Sequence, residues 1–413
     1  MVSVCVVGGG IAGIAAAKEA ARRGARVTLV ERRTELPPVN GSVALLLSGE
    51  RGARPSRFAD PLPRLGVELR LNTRVTSVEE DGRVRTERGA ASFDSVVLAT
   101  GARPVTDRIP GGARSGIHTL MDDNSYSDLG SALQGYTEVA VSGSGPAMLE
   151  VADVLKAKGI GVRIFPTAGV VWAKLSDRLR GYLDVRISAR GVSVEAARLE
   201  RVAGVDHVEA VLAGGTVYPC QALVVVPRPL PNAPEARADT GRLGGLAVNG
   251  EMRTSRDRVF AAGACAEVAV GQSTVYYDSE SAALTTGAAA GANASGSRVS
   301  PRISGCLRAA AFGAEVVISG LSLKEALNAG VRAEEVATPG DSGIACALIY
   351  RSGSLELLGA QLIGPGAGAY EQVASRMVSE SLPIDELAFL ELPRTLDVAP
   401  ILRAADGVNG RRT

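Results

Sequence analysis

The residues best placed to do chemistry open the chain. Gly8, Gly10 and Gly13 stand in the run Gly8-Gly9-Gly10-Ile11-Ala12-Gly13, and a carboxylate, Glu31, follows about 20 residues later. Each position has a physical job in gripping a dinucleotide. Gly8 permits a tight turn. Gly10 lets a pyrophosphate approach the backbone, where a helix N-terminus offers amide donors and positive dipole. Gly13 lets helix and strand pack closely, and Glu31 can accept hydrogen bonds from ribose hydroxyls. The motif by itself does not separate FAD from NAD.

Other reactive side chains are sparse. Cysteines stand at 5, 220, 265, 306 and 346, an odd count with no C-x-x-C pair. A zinc ribbon, a disulfide scaffold and a dithiol site are therefore disfavoured, and a reducing cytoplasm is the expected compartment. With only His118 and His207, a histidine-rich metal site is excluded and no metal is expected. His118 reads as a surface or packing residue, and His207 as exposed in a hairpin-like stretch. Cys5, inside an apolar run, reads as buried and inert, and Cys265 as structural. Trp172 would line or fill a cleft between domains.

The elements that must position these residues follow from pattern. Residues 2–7 are a β-branched apolar run, the signature of a buried parallel strand. Residues 15–23 continue as an Ala-rich helix that Gly24 stops, and residues 26–30 form the next strand, ending at Glu31. A second strand–turn–helix–strand pattern runs through residues 139–141, a turn at 142–146, a helix to Lys158 and a strand over 161–165. Residues 227–234 carry four prolines and read as a linker. Further strand patterns lie near 314–318, 344–350 and 355–363.

Composition narrows the function classes. Across 413 residues the net charge is +1, which leaves no excess basic charge for nucleic acid or a membrane surface. Aromatic residues are 4% of the chain, too few for a base-stacking platform. No stretch of about 20 apolar residues occurs, so no bilayer span is expected. The apolar N-terminus lacks the basic flank of a signal peptide.

Two further segments carry a resemblance. Leu98-Ala99-Thr100-Gly101-Ala102-Arg103-Pro104 follows an apolar strand pattern, and residues 254–266 place a polar turn before an apolar strand that ends at Gly263. With the opening glycines, these segments resemble the FAD-dependent pyridine nucleotide-disulfide oxidoreductases. The branch they are similar to holds coenzyme A-disulfide reductase, NADH oxidase and NADH peroxidase. The resemblance covers essentially the whole chain, including Leu358-Gly359-Ala360-Gln361-Leu362-Ile363-Gly364 and Asp406-Gly407-Val408-Asn409. It implies an α/β architecture: two nested Rossmann-type domains, FAD and NAD(P)-like, plus a C-terminal α+β dimerisation domain. The FAD-binding domain would be residues 1–109 and 230–300, the NAD(P)-binding-like domain 110–229, and the dimerisation domain 301–413. A small-residue helix around 281–292 would face the flavin with its N-terminal end. The chain would be a homodimer in which the partner's C-terminal domain completes each active site. The implied FAD-binding residues are Gly8, Gly10, Ile11, Ala12, Gly13, Glu31, Arg32, Val75, Ala99, Thr100, Gly101, Gly263 and Ala264.

The departures from the family pattern are as informative. The segment that should hold the redox cysteine reads Gly41-Ser42-Val43-Ala44-Leu45-Leu46-Leu47-Ser48-Gly49, and no cysteine lies between Cys5 and Cys220. Without a thiolate beside the flavin, disulfide reduction and sulfenate chemistry are excluded. In the second glycine turn, Gly143-Ser144-Gly145-Pro146-Ala147-Met148, a methionine stands at the third glycine. The ribose-binding acid falls near Pro166, with Arg163 nearby, and the later glycine turn reads Val226-Pro227-Arg228-Pro229-Leu230-Pro231-Asn232. These three losses argue against ordinary NAD(P)H binding. Ala264 replaces a flavin-binding aspartate. Asp397 replaces a tyrosine that reaches the partner's active site, which makes Asp397 the candidate acid–base residue; the competing reading is a solvated interface carboxylate.

The leading expectation is a thiol-independent FAD oxidoreductase acting on a small organic molecule in specialised metabolism, such as antibiotic biosynthesis. Hydride would pass between substrate carbon and flavin, with dioxygen as reoxidant. The alternatives are a non-redox cyclase or isomerase that keeps FAD as a structural element, an NAD(P)H-dependent FAD reductase or oxidase, and a catalytically inactive paralogue.

Overall fold

The computed structural model describes residues 1–36, 43, 47, 59, 61–106, 108–121, 123–167, 174–233, 236–270, 273–277, 279–338, 343–389 and 399–409. The chain divides into two compact units.

The first unit comprises Met1–Asn40, Ala53–Arg103 and Pro229–Gly305. Its main sheet, among the described residues, has five parallel strands in the order Val259–Ala261, Ser95–Leu98, Ser3–Val7, Arg26–Val30, Glu68–Arg70. The central strands are unbroken apolar runs because both faces are covered: Val4, Cys5 and Val6 have no exposed surface. The helix Ile11–Arg22 covers one face and packs on Glu280–Ala294. That contact depends on missing side chains. A Cβ on Gly287 would strike the carbonyl oxygen of Ala12, and one on Gly291 that of Ala16. The small-residue pattern of the later helix thus sets a backbone-to-backbone approach. An antiparallel meander, Val75–Val78, Arg83–Thr86 and Gly89–Ser92, completes the surroundings of the glycine turn.

The second unit comprises Gly41–Gly52, Pro104–Arg228 and Cys306–Thr413. It repeats the plan with a parallel sheet in the order Ser193–Val194, Gly161–Pro166, Glu138–Gly143, Ala222–Val226, Ile117–Thr119. The helix Pro146–Ala157 follows the central strand. An antiparallel sheet in the order Leu307–Ala311, Ala314–Gly320, Leu357–Gly364, Ala345–Arg351, Ala333–Thr338 forms the C-terminal part. One core joins the two layers: Met148, Leu149 and Leu155 pack in the same cluster as Phe312, Val316 and Ile318. Gln361, fully buried, pins the start of the helix Asp177–Ala189 to the C-terminal sheet. Its Oε1 accepts from the Ser176 amide at 2.8 Å, and its Nε2 donates to the Lys174 carbonyl at 2.8 Å.

One expected linker is ordered differently. Within residues 227–234, Arg228–Pro231 is a strand that pairs with Ala102–Val105 in a two-stranded ribbon. Proline cannot donate to a ladder, but a ribbon edge asks for no donor there. Pro229 and Pro231, counted as linker punctuation, therefore sit in extended, paired backbone.

Candidate functional site

The first glycine turn forms an open cradle. Gly8 takes φ +107°, and its amide donates to the Val30 carbonyl at 2.8 Å. A Cβ on Gly8 would collide with the Ala99 carbonyl, and one on Gly13 with the carbonyl of Gly8 itself. A Cβ on Gly10 would meet nothing within 4 Å. Two glycines are thus demanded by the fold, and the third keeps space free in front of the helix N-terminus. Glu31, 7% exposed, is set by the turn rather than by solvent. Its Oε2 accepts from the Gly9 amide at 2.7 Å and its Oε1 from the Arg33 amide at 2.9 Å. Carboxylate oxygens have lone pairs to spare for further donors.

A cavity of about 400 Å³ opens beside this carboxylate. Of the residues expected at the cofactor, it brings together Gly8, Glu31, Arg32, Val75 and Thr100. Ile11, Ala12 and Gly13 start the adjoining helix, and Ala99 packs under Gly8. Gly101 takes the left-handed φ of +69°. Gly263, at φ +67°, donates its amide to Thr286 Oγ1 at 2.9 Å, and a Cβ there would meet Ala12. Ala264 lies in the short turn Gly263–Cys265 and offers no side-chain acceptor. The open glycine, the aligned helix N-terminus and the anchored carboxylate fit FAD.

Sequence reasoning missed Thr73, Arg74, Thr76 and Asn232, which line the same cavity. The signal for the first three is Asn72, a left-handed residue at φ +48°. Asparagine tolerates that conformation, and it turns the chain so that the Thr73 amide reaches the Glu31 carbonyl at 2.9 Å. Asn232 is locked to the Thr100 segment. Its Nδ2 donates to the Thr100 carbonyl at 3.2 Å, and its amide donates to the Gly101 carbonyl at 2.9 Å.

The second glycine turn has the same register with different chemistry. Val7 pairs with Val30 and Leu98, so Glu31 and Ala99 come next. Ser142 pairs with Phe165 and Val225, and Gly143 with Pro166 and Val226. Pro166 therefore stands where Glu31 stands, and Arg228 where Gly101 stands. Met148, expected to disturb the close approach of helix and strand, is fully buried. The turn there differs: Gly145 caps the helix at φ +83°, whereas Gly10 does so at −75°. Arg163 is not a free cation. It pairs with Glu195 at 2.5 Å and lies over the Tyr218 ring, 4.7 Å from its centroid.

No accessible thiol is present. All five cysteines are buried. Desolvation pushes the thiols of Cys5, Cys306 and Cys346 up to about 12 and Cys220 up to about 11, and it also raises Cys265. Cys265 instead donates weakly to the carbonyls of Leu98 and Ala262. His118 Nε2 lies 3.0 Å from Tyr136 Oη, and burial lowers its pKa, so it stays neutral at pH 7 in a packing role. His207 is exposed in the loop between Leu199–Ala203 and Ala210–Ala213. Among the described residues, no cluster suits a metal ion, and no helix is long and apolar enough to cross a membrane. Gly41, Trp172 and Asp397 lie outside the described residues.

Residues 2–291 match the pyridine nucleotide-disulphide oxidoreductase family. The chain belongs to this family. It is accordingly an oxidoreductase with FAD as its cofactor. The chain is 29% identical over 207 residues to an NADH oxidase of Methanocaldococcus jannaschii, covering 48% of this chain and 44% of that protein. It is 24% identical to an NADH oxidase of Lactococcus lactis, covering 94% of this chain and 95% of that one. Among solved structures, an NAD-dependent persulfide reductase from A. fulgidus superposes with a TM-score of 0.84 at 24% identity. That match covers 99% of this chain and 83% of the other. Within this family the α/β architecture with Rossmann-type domains is the shared fold.

Proposed function

We propose that this family member is a thiol-independent FAD oxidoreductase that acts on a small organic molecule in specialised metabolism. The observation that carries this reading is the state of the sulfur: every cysteine is buried, and burial holds each as the neutral thiol. A neutral buried thiol neither attacks a disulfide nor forms a charge pair with a flavin. When bound, FAD supplies hydride acceptance from a substrate carbon and electron transfer to dioxygen.

The chain's own residues bind and orient. The backbone from Gly8 to Gly13 takes the pyrophosphate, and Glu31 takes the ribose hydroxyls. Arg32, Val75, Ala99, Thr100 and Gly101 line the rest, with Gly263 and Ala264 at the other end. Ala264 leaves the ribityl chain without a charged acceptor, a loss of about 1.5–3 kcal/mol. Asp397 is the candidate acid–base group, and Asp397→Asn should lower turnover without changing FAD content. The enzyme works as a cytoplasmic homodimer in this reading.

The test removes the sulfur. A variant with all five cysteines replaced by alanine or serine should keep its FAD. Its dithionite-reduced flavin should reoxidise in air within about twofold of the natural rate. A tenfold slower reoxidation in a folded variant refutes the proposal. The altered second turn favours one other reading, a non-redox cyclase or isomerase that keeps FAD structurally. Substrate conversion with neither oxygen uptake nor bleaching would select it.

A further inference from the structure

We propose that the first unit carries a second small-molecule site, in which Arg70 and Arg88 take the carboxylate of an organic acid with an apolar body, and that filling this site tightens the grip on FAD. A cavity of about 380 Å³ lies between the edge strand Glu68–Arg70 of the main sheet and the meander strands Arg83–Thr86 and Gly89–Ser92. Small-molecule sites span about 300–1,000 Å³.

The cavity exists because the meander ends in small residues. Val84 pairs with Ala91, and Thr86 with Gly89. Gly89, Ala90 and Ala91 all line the space, and side chains this short do not fill it. Val30, Val84 and Phe93 line it as an apolar floor.

Charge enters at two corners. Arg70 Nε donates to Glu68 Oε1 at 2.8 Å, which fixes the stem and keeps the terminal fork for a ligand. Arg88 stands at the hairpin turn, where its amide donates to Thr86 Oγ1 at 3.2 Å. Among the described residues, no ion pair holds its guanidinium. The hydroxyls of Thr73 and Thr86 are committed to the carbonyls of Leu71 and Gly89, each at 2.9 Å. No carboxylate is among the described residues that line the cavity. Glu68, beside Arg70, also accepts from Thr28 Oγ1 at 3.0 Å. Two guanidinium forks without a facing acid favour an anion, and a carboxylate matches their geometry. The apolar floor asks for hydrocarbon attached to that carboxylate.

The link to FAD is in the backbone. Val30 and Thr73 line this cavity and the FAD cavity alike. Residues 70–73 hold Glu31 from both sides: the Glu31 amide donates to the Arg70 carbonyl at 2.9 Å, and the Thr73 amide donates to the Glu31 carbonyl at 2.9 Å. Asn72, at φ +48°, makes the bend between them, and its amide donates to the Arg33 carbonyl at 2.8 Å. A ligand that ties down Arg70 therefore orders the segment that holds the ribose-binding carboxylate. Linkage is reciprocal, so FAD favours the ligand by the same factor.

Benzoate is the probe, with benzamide as its uncharged counterpart and acetate as the anion without the ring. Each is titrated calorimetrically into FAD-loaded and FAD-free protein at fixed ionic strength. Benzoate should bind about tenfold or more tighter than either control. Arg88→Ala removes charge and Ala91→Phe fills space, and each should weaken benzoate about tenfold or more, while Arg88→Lys should restore part of the loss. Neither residue lines the FAD cavity, so both variants should keep their FAD. Reconstitution of the apoprotein with FAD should be about threefold or more tighter in saturating benzoate, and benzoate should prefer the loaded protein by the same factor. Equal binding of benzoate and benzamide, unchanged affinity in both variants, or equal affinity for loaded and FAD-free protein overturns the proposal. So does benzoate binding that shifts the flavin spectrum and survives Arg88→Ala, which places the probe at the flavin ring. Any of these failures would leave FAD content and aerobic flavin reoxidation as they are, and so is distinct from failure of the thiol-free reading.

Discussion

The two glycine turns share one plan and differ in what holds them. In the first, Gly13 lets the helix touch the turn, and Glu31 ties the backbone on either side of itself. In the second, Met148 fills the corresponding helix position from within the core, and the strand ends in Pro166. The first turn is held by backbone contact and a carboxylate, the second by apolar packing. A common fold thus leaves the recognition chemistry of each turn free to change, because the strand register is set by core residues and not by the ligand-facing ones.

The largest effect that can test this contrast is at the third glycine. Gly13→Val should leave little folded, FAD-bearing protein, because the new side chain collides with the Gly8 carbonyl. Met148→Ala, at the matching position, should only open a cavity. It is expected to cost about 2–5 kcal/mol in urea unfolding while FAD content stays normal. Equal outcomes would break the comparison. Next, Glu31→Gln should weaken FAD binding about 10- to 100-fold on reconstitution of the apoprotein, since charged hydrogen bonds contribute about 1.5–3 kcal/mol. Pro166→Glu should leave FAD affinity as it is.

A third test uses pH. Burial raises the Cys5 thiol from 9.0 to about 12 and Cys220 to about 11. Above pH 9 the unfolded chain ionises these thiols and the folded chain does not. Stability is therefore complete below pH 9 and falls as pH rises toward 11–12, by about 1.4 kcal/mol per pH unit for each thiol. Cys5→Ala should flatten that slope in urea titrations between pH 9 and 11; an unchanged slope would mean that the first strand is less tightly enclosed than its burial indicates. The smallest effect is expected at Arg163→Ala. Its pair with Glu195 is partly exposed, at 39% and 23% for the two side chains, so the change should cost under about 1 kcal/mol.

Much of the fold was legible because its cues are local. β-Branched runs marked the buried strands, and Gly24 marked the end of the first helix, where it takes φ +81°. The glycine spacing located both turns. What stayed hidden came from contacts distant in sequence. Asn232 reaches the first cavity only because its segment bonds to Thr100 and Gly101. Arg163 stands near the second turn in sequence, yet the fold commits it to Glu195, and Arg198, more than thirty residues on, lines the cavity there. Pro229 and Pro231, read as part of a linker, proved compatible with a paired strand, because only the lost donor, and not the extended backbone, is forbidden to proline.

The amino-acid sequence alone settled the absence of a cysteine between positions 5 and 220, the two glycine turns and the loss of an acid at Pro166. These are matters of residue identity and short spacing, which need no folding to be read. Only the tertiary structure decided that the thiols are neutral, that Met148 is core, and that Ser142, Arg198 and Arg228 share one cavity. The reason is physical: desolvation and convergence depend on which distant segments are packed together, and the chain acquires both only when it folds.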